Sequence, residues 1–125
     1  MLGVNDLSGK RFLDVGSGSG LSSLVARKMG AEVFSFDYDE QSVECTKYLK
    51  QKYFKDDMLW SIEQGSALNE DYMKTLREFD IVYSWCVLHH TGDMIKALAN
   101  VDSNVKKDGT LCIAIYNNQG NRSKI

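Results

Sequence analysis

Along the chain, short apolar runs alternate with longer stretches in which apolar residues return every three or four positions. Phe12-Leu13-Asp14-Val15 is such a run, closed by glycines, and Leu21, Leu24, Val25 and Met29 follow at helical spacing with Gly30 as a stop. Val33-Phe34-Ser35-Phe36 predicts a second buried strand ending at Asp37. Asp39 to Lys52 has good helix formers and neither proline nor glycine, which predicts a second helix with Asp39 as its N-cap. The signal is weaker over a third strand from Met58 to Glu63 and a short helix marked by Tyr72, Met73 and Leu76 that ends near Phe79. Asp80 to Ser84 predicts a fourth strand, and Met94, Ile95, Leu98, Val101 and Val105 predict a further helix. Lys106-Lys107-Asp108-Gly109 then reads as a turn. Thr110 to Tyr116 is continuously apolar, the composition of a strand covered by helices on both faces.

Strands that alternate with helices imply right-handed crossovers and a doubly wound, Rossmann-like α/β sandwich of three layers around a mostly parallel sheet. Ligands in such sheets lie beyond the carboxyl ends of the strands. Here those ends are Gly16 to Gly20, Asp37, Gly65 to Leu68, and Trp85 to Thr91. A chain of 125 residues suits a single domain, residues 1–125, with a core of its own. Its 43 % hydrophobic and 26 % charged residues exclude a disordered tail or a collagen-like repeat. A formal charge of −2 supplies no field for nucleic acid or an anionic membrane, and Lys47, Lys50, Lys52 and Lys55 read as a solvated helix face. Cys45, Cys86 and Cys112 lie far apart, as reduced thiols do, with no metal-ligand spacing. The first residues lack a signal-peptide pattern and no stretch approaches membrane-spanning length, so the expected location is the cytoplasm.

Asp14-Val15-Gly16-Ser17-Gly18-Ser19-Gly20 joins the first strand to the first helix, and its three glycines permit torsions and a close ligand approach that side chains would block. The dinucleotide fingerprint needs its third glycine three positions after the second, where this chain has Leu21. The spacing is Gly-x-Gly-x-Gly behind an acidic residue, and this resembles the first motif of class I S-adenosylmethionine-dependent methyltransferases. A carboxylate at Asp14 would repel a pyrophosphate but attract the ammonium group of a methionine moiety, directly or through water; its other reading is a capping or turn aspartate. Asp37 closes the second strand about twenty residues beyond the start of the glycine loop, where a carboxylate can accept hydrogen bonds from both ribose hydroxyls.

The resemblance continues through Phe79 to Thr91, which is similar to the fourth-strand motif of the same family, with the Leu88-His89-His90 run in the loop beyond. It implies S-adenosylmethionine as cofactor, S-adenosylhomocysteine as product, strand order 3-2-1-4-5, and cofactor contacts from Asp14, Gly16, Ser17, Gly18, Gly20 and Asp37. Tyr38 matches a bulky position against adenine, and either stacks there or is a plain surface tyrosine. Where the family often has an aspartate for the adenine amino group this chain has Ser66, which shifts weight to the backbone amide of Ala67. Tyr83, Ser84 and Trp85 would emerge beside the donor methyl, where Trp85 either offers its face to the sulfonium or closes the core. Cys86 stands where glycine is expected. His89 and His90 are either loop histidines or a base facing the acceptor, and Thr91 or Asp93 caps the next helix.

The resemblance covers about Lys10 to Tyr116 and stops at the fifth of seven strands, so the expectation is a fragment, or a chain that pairs a homodimer or partner at its fifth strand. The Leu-His-His loop points to a small-molecule acceptor. A non-catalytic cofactor-binding module is the alternative, favoured by the short C-terminus. A nicotinamide-dependent oxidoreductase is disfavoured by the glycine spacing, and a nucleic-acid enzyme by the missing basic footprint.

Overall fold

The computed structural model describes residues 6–85 and 94–114. Its strands are β1 (Arg11–Val15), β2 (Glu32–Asp37), β3 (Trp60–Gln64), β4 (Phe79–Trp85) and β5 (Val105–Ala114). The helices between them are α1 (Leu21–Lys28), α2 (Glu40–Tyr53), α3 (Glu70–Thr75) and α4 (Met94–Asp102). All four strand pairings are parallel and the order is β3-β2-β1-β4-β5, the order that the resemblance implied.

Alternation along the strands sorts side chains onto two faces. Phe12, Val33, Trp60 and Ile81 pack with Leu24 and Ala26 of α1, while Leu13, Val15, Phe36 and Val82 pack with Met73 of α3 and Ala97 and Val101 of α4. The central strands β1, β2 and β4 are therefore buried on both sides. In α1 the inward face differs from the expected one: Leu21 and Val25 are exposed, and Ser23, Leu24 and Ala26 turn inward. A core serine is tolerated because Ser23 finds hydrogen-bond partners there. Asp39 caps α2 as expected, accepting from the Gln41 amide at 3.3 Å.

Three boundaries depart from the apolar pattern. The third strand begins at Trp60 and not at Met58, because the Asp57 carboxylate takes the Leu59 amide at 2.9 Å and holds that segment in a turn. Helix α4 stops at Asp102 and does not reach Val105. The Ser103 hydroxyl bonds the Asn100 carbonyl, and the Asn104 amide group leaves the helix to donate to the carbonyls of Met73 and Arg77. Asn104 thereby fastens α4 to the end of α3, where Arg77 has a left-handed φ of 67°. Lys106 to Gly109, expected as a free turn, belongs to β5 as a bulge: Val105 pairs with Phe79 and Thr110 with Ile81. Gly109 is pressed so closely on β4 that a Cβ there would lie 2.9 Å from the Asp80 carbonyl oxygen. Among the described residues no helix is long and apolar enough to cross a membrane.

Candidate cofactor site

The chain leaving β1 bends over the tip of β2, because the amides of Gly16 and Ser17 both donate to the Phe36 carbonyl, at 2.9 and 3.0 Å. Gly16, Gly18 and Gly20 all adopt positive φ, at 80°, 56° and 90°. Two of these glycines answer different needs. A Cβ on Gly20 would meet the Thr46 Cα at 3.0 Å, so Gly20 lets α2 approach; a Cβ on Gly18 would meet nothing, so its side stands open to a ligand. Thr46, fully buried, locks the loop to α2. Its hydroxyl lies 2.9 Å from the Ser17 hydroxyl and within 3.3 Å of the Gly18 carbonyl.

Asp37 ends β2 with its carboxylate fixed at both oxygens. Oδ2 accepts from the Gly18 amide at 2.8 Å and Oδ1 from the Asp39 amide at 2.9 Å. Each oxygen keeps a further lone pair for a diol. The Gly65 amide donates to the Asp37 carbonyl at 3.0 Å, so the loops after β1, β2 and β3 are joined at one point. Gly65 cannot be replaced without displacing Tyr72, whose ring carbon would lie 2.4 Å from an added Cβ. The Tyr72 hydroxyl donates to Glu63 at 2.6 Å, and burial, reinforced by that carboxylate, pushes the phenol above its ordinary range.

Asp14 lies beneath the loop with 2 % of its surface exposed. Burial pushes its carboxyl up to about 6; the Ser23 hydrogen bond opposes that shift and the negative charge of Asp37 adds to it. Tyr38 stands beside the tip of β2 with 76 % of its surface exposed, its carbonyl held by Gln64. The Ser66 hydroxyl accepts from the Leu68 amide at 3.1 Å, and the buried Ala67 is held through its carbonyl by Asn100 at 2.8 Å. Tyr83, expected to emerge at the strand tip, is instead stacked on Phe12 with ring centroids 6.1 Å apart. Ser84 is buried, and among the described residues its hydroxyl has no partner. Trp85 ends β4, but its side chain lies outside the described residues, as do Cys86, His89, His90, Thr91 and Asp93.

The fold thus brings Asp14, Gly16, Ser17, Gly18, Gly20, Asp37, Tyr38, Ser66 and Ala67 to the carboxyl edge of β1, β2 and β3. Thr46, Ser23, Tyr72 and Asn100 support them and were not singled out from the sequence. Ser35 between two phenylalanines in a buried strand is the one clear signal of hidden polar structure there, since a buried hydroxyl requires a partner. An open groove of about 690 Å³ lies at the other end of β3, lined by Lys47, Lys50, Asp57, Trp60 and Ile62, and contains none of the loop residues.

The donor set fits S-adenosylmethionine. Two neighbouring carboxylates, one deeply buried, suit a ligand that carries a diol and a cationic ammonium group and would repel phosphates. Among the described residues no acidic, histidine or cysteine cluster could hold a metal ion.

Comparisons with known proteins agree with that chemistry. The chain is 31 % identical over 111 residues to the ribosomal protein L11 methyltransferase of Helicobacter hepaticus, covering 87 % of this chain and 32 % of that protein. It is 27 % identical to a ubiquinone biosynthesis O-methyltransferase of Actinobacillus pleuropneumoniae, covering 91 % of this chain and 49 % of that one. The chain therefore spans between a third and a half of these relatives. The crystal structure of the YcgJ protein from Bacillus subtilis superposes with a TM-score of 0.72 at 25 % identity, over 89 % of this chain and 45 % of that one. An S-adenosylmethionine-dependent methyltransferase from Mesorhizobium loti shares the fold with a TM-score of 0.70 at 20 % identity, over 90 % and 49 % of the two chains. A family model described as a methyltransferase domain matches residues 6–124, nearly the whole sequence, and the chain belongs to the class I S-adenosylmethionine-dependent methyltransferases.

Proposed function

We propose that the chain holds S-adenosylmethionine across the tips of β1, β2 and β3 and serves the transfer of its methyl group to a small-molecule acceptor in the cytoplasm. The observation that carries this reading is the Gly18–Asp37 junction: an open, left-handed glycine bonded to a carboxylate that retains acceptor capacity. Asp37 takes the ribose hydroxyls and Asp14 the ammonium group. Tyr38 covers one face of adenine, while Ser66 and the Ala67 amide meet its edge. When bound, the cofactor supplies an activated methyl on a cationic sulfur, so the protein needs no nucleophile of its own. Its task is to align the acceptor and exclude water. Trp85 offers an aromatic face to the positive sulfur, and His89 or His90 removes the acceptor's proton where it carries one.

The O-methyltransferases of ubiquinone biosynthesis among its relatives support a small acceptor, whereas the L11 enzyme acts on a protein. We also place pairing with a second copy or a partner at β5, whose described neighbour is β4 alone and whose Leu111, Cys112 and Ile113 are only half-buried. Turnover assays on small hydroxyl-bearing acceptors, run beside calorimetry with S-adenosylhomocysteine, test the reading. Binding with turnover, lost in a His89→Ala/His90→Ala double variant that still binds, is the expected result. Binding without turnover on any acceptor would instead identify a non-catalytic module.

A further inference from the structure

Four buried side chains from four different elements form one file under the glycine loop. Trp60 Nε1 of β3 donates to the Ser35 hydroxyl of β2 at 3.0 Å, the Ser35 and Ser23 hydroxyls lie 2.6 Å apart, and Ser23 of α1 donates to Asp14 Oδ2 at 2.6 Å. Trp60, Ser35 and Ser23 have at most 1 % of their surfaces exposed, so bulk solvent does not reach these groups. The direction of the middle bond follows from counting protons. Ser23 has one hydroxyl proton and spends it on the carboxylate, so Ser35 must donate to Ser23 and accept from Trp60. An indole N–H only donates, so the file cannot reverse without leaving a buried hydroxyl proton unpaired. Every dipole in it points its positive end at Asp14.

We propose that Ser23, Ser35 and Trp60 are positioning residues for the cofactor: their one-way hydrogen-bond relay fixes the Asp14 carboxylate in orientation and keeps it charged for the ammonium group of the amino-acid tail. The inference rests on the reading of Asp14 as the ammonium partner. It explains why polar residues stand at three positions of an otherwise apolar layer made of Phe12, Leu24, Val33 and Ile81. It also gives Trp60, on an outer strand, a role in a site that it does not line. Other groups facing Asp14 are Tyr83 of β4, in register beside it, and the Asp37 carboxylate at the tip of β2, whose charge opposes ionisation. The relay works against burial and against Asp37.

The test is S-adenosylhomocysteine affinity of the 125-residue chain from pH 5 to 8, by calorimetry, for wild type, Asp14→Asn, Ser23→Ala, Ser23→Thr, Ser35→Ala and Trp60→Phe. Loss of a hydrogen bond to a charged group predicts about tenfold weaker binding at pH 7 for Ser23→Ala, with the pH midpoint of binding moved upward. Ser23→Thr restores both, and Trp60→Phe, which keeps the ring, shifts the midpoint in the same direction by less. A merely structural role would lower thermal stability and leave the midpoint where it is, and that result overturns the relay. The cofactor reading is tested separately: if wild type binds and Asp14→Asn weakens binding while the serine variants neither weaken it nor move the midpoint, the relay alone fails. No binding by wild type removes the positioning role together with the site. If a serine variant does not fold, the indole N–H resonance of Trp60 in labelled wild-type protein still decides. It must shift with the ionisation of Asp14 and stop shifting in Asp14→Asn, and an indole resonance indifferent to pH refutes the connection.

Discussion

A neutral side chain would be better accommodated where Asp14 lies. Its carboxyl ionises at about 6 in the folded chain and at its ordinary 3.8 when unfolded, so below 3.8 both states are protonated and nothing is lost. Between those values the unfolded chain ionises first, and stability falls as pH rises, by about 3 kcal/mol in all once pH exceeds 6. Asp14→Asn is therefore expected to melt higher than wild type at pH 7.5, with the gap closing near pH 4; thermal unfolding at the two pH values checks this. Such a cost is what the proposed role of Asp14, a charged partner for the ammonium group, would require. The acidic position before the glycines was legible in the sequence because its spacing is a known motif. Its hydrogen-bond donors were not, because Ser23, Ser35 and Trp60 are 9, 21 and 46 positions away in sequence and meet only when α1, β2 and β3 assemble.

At the scale of elements, periodicity found every strand and helix among the described residues, and it missed where side chains override it. Val105 continues the three-and-four spacing of α4, yet Asn104 ends the helix by turning its amide group to the carbonyls at the end of α3. Removing that group in Asn104→Ala takes a hydrogen bond from each of the Met73 and Arg77 carbonyls and predicts a loss of about 1 to 3 kcal/mol, measurable by urea unfolding. The Lys106–Gly109 segment looked like a turn because its residues favour turns, and it does bulge. It remains within β5 because Gly109 can lie against the backbone of β4. Asp80 secures the same corner: the Arg11 amide, opposed by burial and aided by Lys106, holds its carboxyl below the ordinary range. Acidification through and below 3.8 should loosen the β1–β4–β5 corner first, seen as early amide exchange there.

For the whole molecule, sheet order and layers follow from the alternation of elements and the resemblance carried by two short motifs. What surrounds β5 does not follow from either, because the relatives are two to three times as long as the stretch they share with this chain. Concentration-dependent sedimentation showing self-association, abolished by Ile113→Lys on β5, is the expected outcome for edge pairing; a monomer at all concentrations speaks against it. The proposed cofactor contacts, Trp85 at the end of β4 apart, lie at the tips of β1, β2 and β3, away from that edge. Calorimetric titration of S-adenosylhomocysteine into wild type and Asp37→Ala, with folding of both verified by circular dichroism, measures it most directly. Removal of a charged acceptor predicts about 1.5 to 3 kcal/mol weaker binding, roughly ten- to a hundredfold. Equal affinity in the two proteins, or no binding to the wild-type chain, would contradict the site.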